Sequence, residues 1–317
     1  MTTTNALRAL KTDDRIRGSG LGRRSGRRLS EQRAYPAWFL VPAFALLIVF
    51  FFAPNVMNFV YAFTNWSAYS NTIAPVGLAN FATLLSGGDL VRDVGITIVY
   101  AALVAAFQNG IGLALALLLE RDTRINRFAR SMFFIPVLMS ALAVGYMFQA
   151  ILKPNGALNA AIGALVHSSV QIAWLDSTSW TVVVVALVNT WKWVGLTMLI
   201  YLAGLKTISP DILEAARIDG ASWFRTFRWI RFPLLAPAVT FNVATGLLGS
   251  MNSFDVVQAT TMGGPAQSTE VLNIFIYRMF GQGLYGEATA MSLSLLVVVA
   301  ALAFPVIIYL RHRENVL

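Results

Sequence analysis

The chain has no cysteine, two histidines, and charged side chains at only 12% of its 317 positions. Without cysteine there is no disulfide, no thiolate nucleophile and no thiolate metal ligand. His167 and His312 are expected on opposite faces of a membrane, so they do not pair around a metal. No His-Glu-x-x-His or nucleophile-elbow pattern occurs. A Gly-x-x-x-x-Gly-Lys-Ser/Thr phosphate loop is also missing, which excludes that route to holding ATP. Catalysis by this chain is therefore not expected, and Asp211 with Glu214 reads as ordinary charge on a solvated face.

What the chain does have is apolar length, with 57% hydrophobic residues, beyond the range of an ordinary soluble domain. Six apolar stretches recur at about 37–61, 94–119, 131–152, 181–205, 238–257 and 288–310. Each reaches the roughly 20 residues that a membrane-crossing helix needs. The expected fold is an all-α integral membrane protein of six transmembrane helices, residues 37–317, carrying one long cytoplasmic loop at 206–237. The fifth stretch is the most dilute, because Asn242, Thr245, Ser250, Asn252 and Ser253 interrupt it.

The net charge of +9 reflects orientation and not nucleic-acid binding. Nine basic residues precede the first stretch, four lie between the second and third, five between the fourth and fifth, and two at the C-terminus. The intervening connections hold only Arg92, Lys153 and Arg278, and Lys192 falls inside a stretch. By the positive-inside rule both termini and the 206–237 loop face the cytoplasm. The first stretch reads as a retained signal anchor. Residues 1–36, rich in arginine and glycine, are expected to be disordered and to meet anionic lipid.

The 206–237 loop is well punctuated. Ser209 is a good N-cap, Pro210 suits the first helical position, Asp211 complements the helix dipole, and Gly220 supplies a left-handed stop. These bound a helix of about ten residues, whose centre, Glu214-Ala215-Ala216, sets an acid beside two small side chains. A helix this short needs a partner surface. Beyond it, Arg225, Arg228 and Arg231 recur every third residue beside Trp223, Phe227 and Ile230, the pattern of an interfacial amphipathic helix.

Glu214-Ala215-Ala216, Asp219-Gly220-Ala221 and Pro233-Leu234-Leu235 resemble the coupling-loop signature of bacterial ABC importer permeases. Trp191-Lys192, the 205–210 run, Phe254-Asp255, Gly263-Gly264-Pro265 and Ser268-Thr269 resemble the carbohydrate-uptake branch, of the maltose and glycerol-phosphate first-subunit type. The resemblance implies the type I importer permease fold in a bacterial cell membrane, and no cofactor bound by this chain. It further implies a second permease subunit, two ATPase subunits that use ATP and Mg, an extracytoplasmic solute-binding protein, and a sugar or sugar derivative as cargo. Glycerol phosphate or a polyol is the alternative cargo, and an ion-gradient-driven secondary transporter the remoter alternative.

The same resemblance gives candidate residues. For ATPase coupling they are Ser209, Asp211, Glu214, Ala215, Ala216, Asp219 and Gly220. For the substrate pathway they are Asn189, Lys192, Trp193, Leu196, Gly246, Gly249, Ser250 and Ser253. Lys192 inside a span either pairs with protein or meets cargo, and Trp191 and Trp193 either pack or stack on a sugar ring. Gly246, Gly249, Ser250 and Ser253 share one face of an ideal helix, suited to close packing or to lining a cavity. Gly263, Gly264 and Pro265 either form a plain outer turn or contact the binding protein.

Overall fold

The computed structural model describes residues 37–316; the basic segment 1–36, with its expected disorder and lipid contact, lies outside the described residues. The regular elements of the described residues are helices, and β pairing there is limited to an isolated bridge between Thr64 and Pro75. Helix α1 spans Trp38–Tyr61, and the chain divides within it, at Pro54, into two compact units. The first unit contributes the apolar start of α1.

The second unit holds the remaining elements: α2 (Ala79–Ser86), α3 (Asp89–Leu118), α4 (Arg124–Leu138), α5 (Ala141–Ile151), α6 (Ala157–Val166), α7 (Thr181–Lys206) and α8 (Pro210–Ile218). After these come α9 (Trp223–Leu234), α10 (Ala236–Met251), α11 (Asp255–Thr260), α12 (Leu272–Gly281) and α13 (Tyr285–Val316). Four helices, α1, α3, α7 and α13, are long and apolar enough to cross a bilayer. The pairs α4–α5 and α9–α10 bring the number to six if each is one span, but they bend by 102° and 67°. The third and fifth stretches, expected as simple spans, are therefore broken.

The first break has a visible chemistry. Pro136 lies inside α4 and lacks the N–H of a normal helical residue; Met139 and Ser140 then run extended. The carbonyls exposed there need donors in a medium without water. Lys192 supplies them: its Nζ donates to the carbonyls of Met139 at 2.7 Å and Val137 at 3.3 Å. At the second bend Pro233 lies in α9, and Pro237 follows within the first turn of α10.

Helices α3 and α7 form the centre, with α10 against α3 and α4 against α7. Small residues allow this closeness, as expected where lipid gives no hydrophobic drive for helix association. A Cβ at Gly112 would stand 2.7 Å from the Thr197 methyl, and one at Gly195 would strike the Phe133 carbonyl oxygen. At Gly145 it would strike the Ala259 Cβ, which locks α5 to α11. Tyr100, Val104, Val144, Val185, Val256 and Ile274 fill one apolar core; Met198, Tyr201, Leu205, Ile208, Leu235 and Ala238 fill another beside α8.

Candidate functional site

The loop helix forms where its punctuation placed it. The Ser209 hydroxyl accepts from the Asp211 N–H at 3.2 Å, and Pro210 opens α8. Its C-terminus closes with Gly220 at φ 72°, the Ala221 N–H donating to the Ala216 carbonyl and the Gly220 N–H to that of Arg217. That double closure needs a left-handed residue after the helix, which glycine adopts without a Cβ clash. Leu213 packs on the core cluster and Ala216 is buried. Asp211, Glu214, Ala215 and Asp219 are exposed, with Ile212 and Ile218 between them at 44% and 81% exposure. Arg217 is exposed as well, so the solvent side carries three acids and one base around an apolar centre, and Ala215 alone of the two central alanines belongs to it.

Beneath α8 and α9 lies a cavity of about 570 Å3 lined by Leu117, Leu118, Glu120, Leu213, Trp223 and Arg231, among others. Two arginines brace its rim. Arg231 grips Glu120 with two hydrogen bonds of 2.9 and 3.0 Å, the bidentate geometry that makes such pairs specific. Arg130 donates to the carbonyls of Leu119, Glu120 and Arg121, capping the C-terminal end of α3 with positive charge. The loop therefore connects to α7 through the chain and to α3 through an ion pair. The regular spacing of Arg225, Arg228 and Arg231 suggested one shared face. A π turn at Phe227–Arg231 breaks that register, and Arg231 turns to Glu120 while the other two stay exposed.

The pathway candidates are spread over different environments. On α7, Asn189 and Lys192 are buried, Trp193 is half-buried and Leu196 is exposed. Besides its two carbonyls, the Lys192 ammonium lies 4.4 Å from the Trp193 ring centroid. Trp191 meets the Phe148 ring edge-on at 5.1 Å. On α10, Gly246 and Ser250 are buried and Gly249 is open, a Cβ there meeting nothing within 4 Å. The expectation of a continuous helical face through Ser253 does not hold, because α10 ends at Met251. Ser253 instead lies within 3.2 Å of the Tyr100 hydroxyl.

A polar layer that sequence reasoning missed crosses the centre. Gln108 Nε2 donates to Thr197 Oγ1 at 2.7 Å, Asn242 Nδ2 donates to the Thr197 carbonyl at 3.3 Å, and the Tyr201 hydroxyl donates to Asn109 Oδ1 at 2.6 Å. These bonds join α3, α7 and α10. Their signals in the sequence are the Gln-Asn pair inside an apolar run and Asn242, which reads there only as a dilution of the fifth stretch.

At the far ends of α3 and α12, Glu270 bridges Arg92 at 3.2 Å and Arg278 at 2.6 Å, and Arg92 also pairs with Asp89 and Asp93. Asp93 and Glu270 are buried. The second stretch, expected from residue 94, thus begins earlier and carries an acid. Among the described residues no group of three or more His, Asp and Glu side chains converges as a metal site.

The Gly263-Gly264-Pro265 turn adjoins this cluster and is tightly tied. Gly263 has φ 90°, the Thr269 hydroxyl donates to the Gly264 carbonyl at 2.8 Å, and the Gly264 N–H donates to the Thr261 carbonyl at 2.9 Å. Gly263 is buried, while Gly264 and Pro265 are half-exposed. Gly264 and Pro265 border a cavity of about 420 Å3, shared with Gln149, Lys153, Trp174 and Asp176.

Residues 108–314 match the family described as binding-protein-dependent transport system inner membrane component. The chain is 30% identical over 267 residues to the multiple sugar-binding transport system permease protein MsmF of Streptococcus mutans, covering 84% of this chain and 91% of that one. It is 31% identical over 277 residues to the sn-glycerol-3-phosphate transport system permease protein UgpA of Agrobacterium fabrum, with 84% and 91% covered. A solved bacterial alginate ABC transporter, in complex with its alginate-bound periplasmic protein, has a chain of similar fold. That likeness has a TM-score of 0.73 at 21% identity, over 88% of this chain and 94% of that one.

Proposed function

Because the chain belongs to the family of binding-protein-dependent transport system inner membrane components, we propose that it is the first-type permease subunit of an ATP-driven sugar importer. It is a multi-pass membrane protein, with both termini and α8 on the cytoplasmic side by the charge asymmetry of its connections. The cargo is a sugar or sugar derivative delivered by an extracytoplasmic binding protein, a reading supported by the sugar-binding transport name of the Streptococcus mutans relative. A second permease subunit completes the path, and two ATPase subunits, using ATP and Mg, power it.

The observation that carries the division of labour is α8. It is a short, doubly capped helix with an exposed acidic and apolar face, on a chain without a phosphate loop. Docked in an ATPase groove through Asp211, Glu214, Ala215 and Ile218, it would move with that subunit. The Glu120–Arg231 pair and the direct connection to α7 would pass the motion to α3 and α7, exchanging inward-open and outward-open states as rigid bodies. The half-exposed Gly264-Pro265 corner supports a binding-protein contact on the opposite side. Leu196 and Gly249, which remain open, are the pathway candidates best suited to meet cargo from this chain.

The test is Glu214→Lys in the assembled transporter. Uptake should fall at least tenfold while the chain still inserts and is made at normal levels. Unchanged uptake and unchanged ATPase retention would remove α8 from the coupling role.

A further inference from the structure

Helix α9 carries an exposed face that the coupling role does not use. Phe224 and Trp229 are 68% and 71% exposed, Arg225 and Arg228 are exposed beside them, and none of the four lines the cavity under the helix. Among the described residues neither arginine is in an ion pair, whereas Arg231, on the same helix, is held by Glu120. The Arg228 guanidinium sits 5.1 Å from the Trp229 ring centroid, which pre-organises a cation beside an aromatic plane.

We propose that Phe224, Arg225, Arg228 and Trp229 form a binding face for anionic phospholipid headgroups. Two unneutralised guanidinium groups suit phosphate, since their forked donors match its oxygens. The flanking rings suit the headgroup level, where amphipathic aromatics gather. The position agrees, because α9 adjoins the end of the apolar helix α10 and is turned 67° from it, as a helix leaving a span to lie along the surface would be. Charge separates this face from the one at α8: α8 and its C-cap expose Asp211, Glu214 and Asp219 against the single base Arg217, whereas α9 exposes two arginines and no acid. The two neighbouring helices thus address partners of opposite sign, and the basic one addresses lipid. The lipid site does not rest on the coupling assignment of α8.

The absence of native cysteine permits a site-specific test. Phe224→Cys, carrying a bimane label that restores an aromatic group, is placed with its co-expressed partners in nanodiscs of phosphatidylcholine containing 5-doxyl phosphatidylglycerol or 5-doxyl phosphatidylcholine. Quenching should be stronger with the phosphatidylglycerol probe, and that preference should fall about fivefold for each of Arg225→Gln and Arg228→Gln. High salt should weaken it as well. Equal quenching by the two probes, or none by either, would overturn the proposal. So would loss of co-purifying ATPase subunits from the Arg225→Gln/Arg228→Gln chain at fixed lipid, because the face would then belong to a protein partner.

Discussion

Replacing Lys192 by methionine separates two roles that its place within a span leaves open. The ammonium donates to two carbonyls at the α4–α5 break and is 3% exposed. Hydrogen bonds to a charged group are worth about 1.5–3 kcal/mol each, so two lost bonds remove roughly 3–6 kcal/mol. Methionine also removes a buried charge whose insertion costs about 2.5–3.5 kcal/mol. The difference leaves a net loss of about 1.5 kcal/mol, near tenfold in the folded-to-unfolded ratio. Lys192→Met should therefore lower the apparent melting temperature of the purified transporter by several degrees. Lys192→Gln, which retains an N–H donor, should recover part of it, and the uptake KM of both variants should stay near that of the parent. An unchanged melting temperature with a KM raised tenfold would refute the structural role and assign Lys192 to cargo.

Further outcomes follow from packing and pairing. Gly195→Val should cost about 1–3 kcal/mol through overpacking, because its Cβ meets the Phe133 carbonyl. Gly110→Ala, with nothing within 4 Å of its Cβ, should be neutral or stabilising by thermal shift. Glu270→Gln should destabilise by about 1–2 kcal/mol. This is less than a fully buried pair would lose, since Arg92 and Arg278 are 33% and 34% exposed and water can take up part of their charge. A thermal-shift series against Arg278→Gln and the double variant would measure the coupling.

The features written locally were legible in the sequence. The Ser209 cap, Pro210 and the Gly220 stop lie within twelve residues, and each acts on backbone groups beside it, so α8 could be bounded before its surroundings were known. The apolar stretches for α1, α3, α7 and α13 were equally plain, because hydropathy over twenty residues needs no tertiary information.

What stayed hidden depends on partners distant in sequence. The break after Leu138 is tolerated because Lys192, more than fifty residues on, supplies donors to its carbonyls. Asp93 and Glu270 can be buried because Arg92 and Arg278 converge on them. Residues 246, 249, 250 and 253 fall on one face of an ideal helix, but α10 stops at Met251 and the periodic argument stops with it. The arginine stripe failed for a related reason: one π turn altered the register, and Glu120 claimed Arg231.

The central claim, that work enters this subunit from an ATP-hydrolysing neighbour, is tested most directly by uptake of labelled sugar into proteoliposomes. The purified permease is reconstituted alone, and in parallel with its partner permease, ATPase and binding protein. The account predicts vanadate-sensitive accumulation in the complete assembly that requires both ATP and binding protein, and none with the chain alone under any ion gradient. Gradient-driven accumulation by the chain alone, unaffected by vanadate, would contradict it.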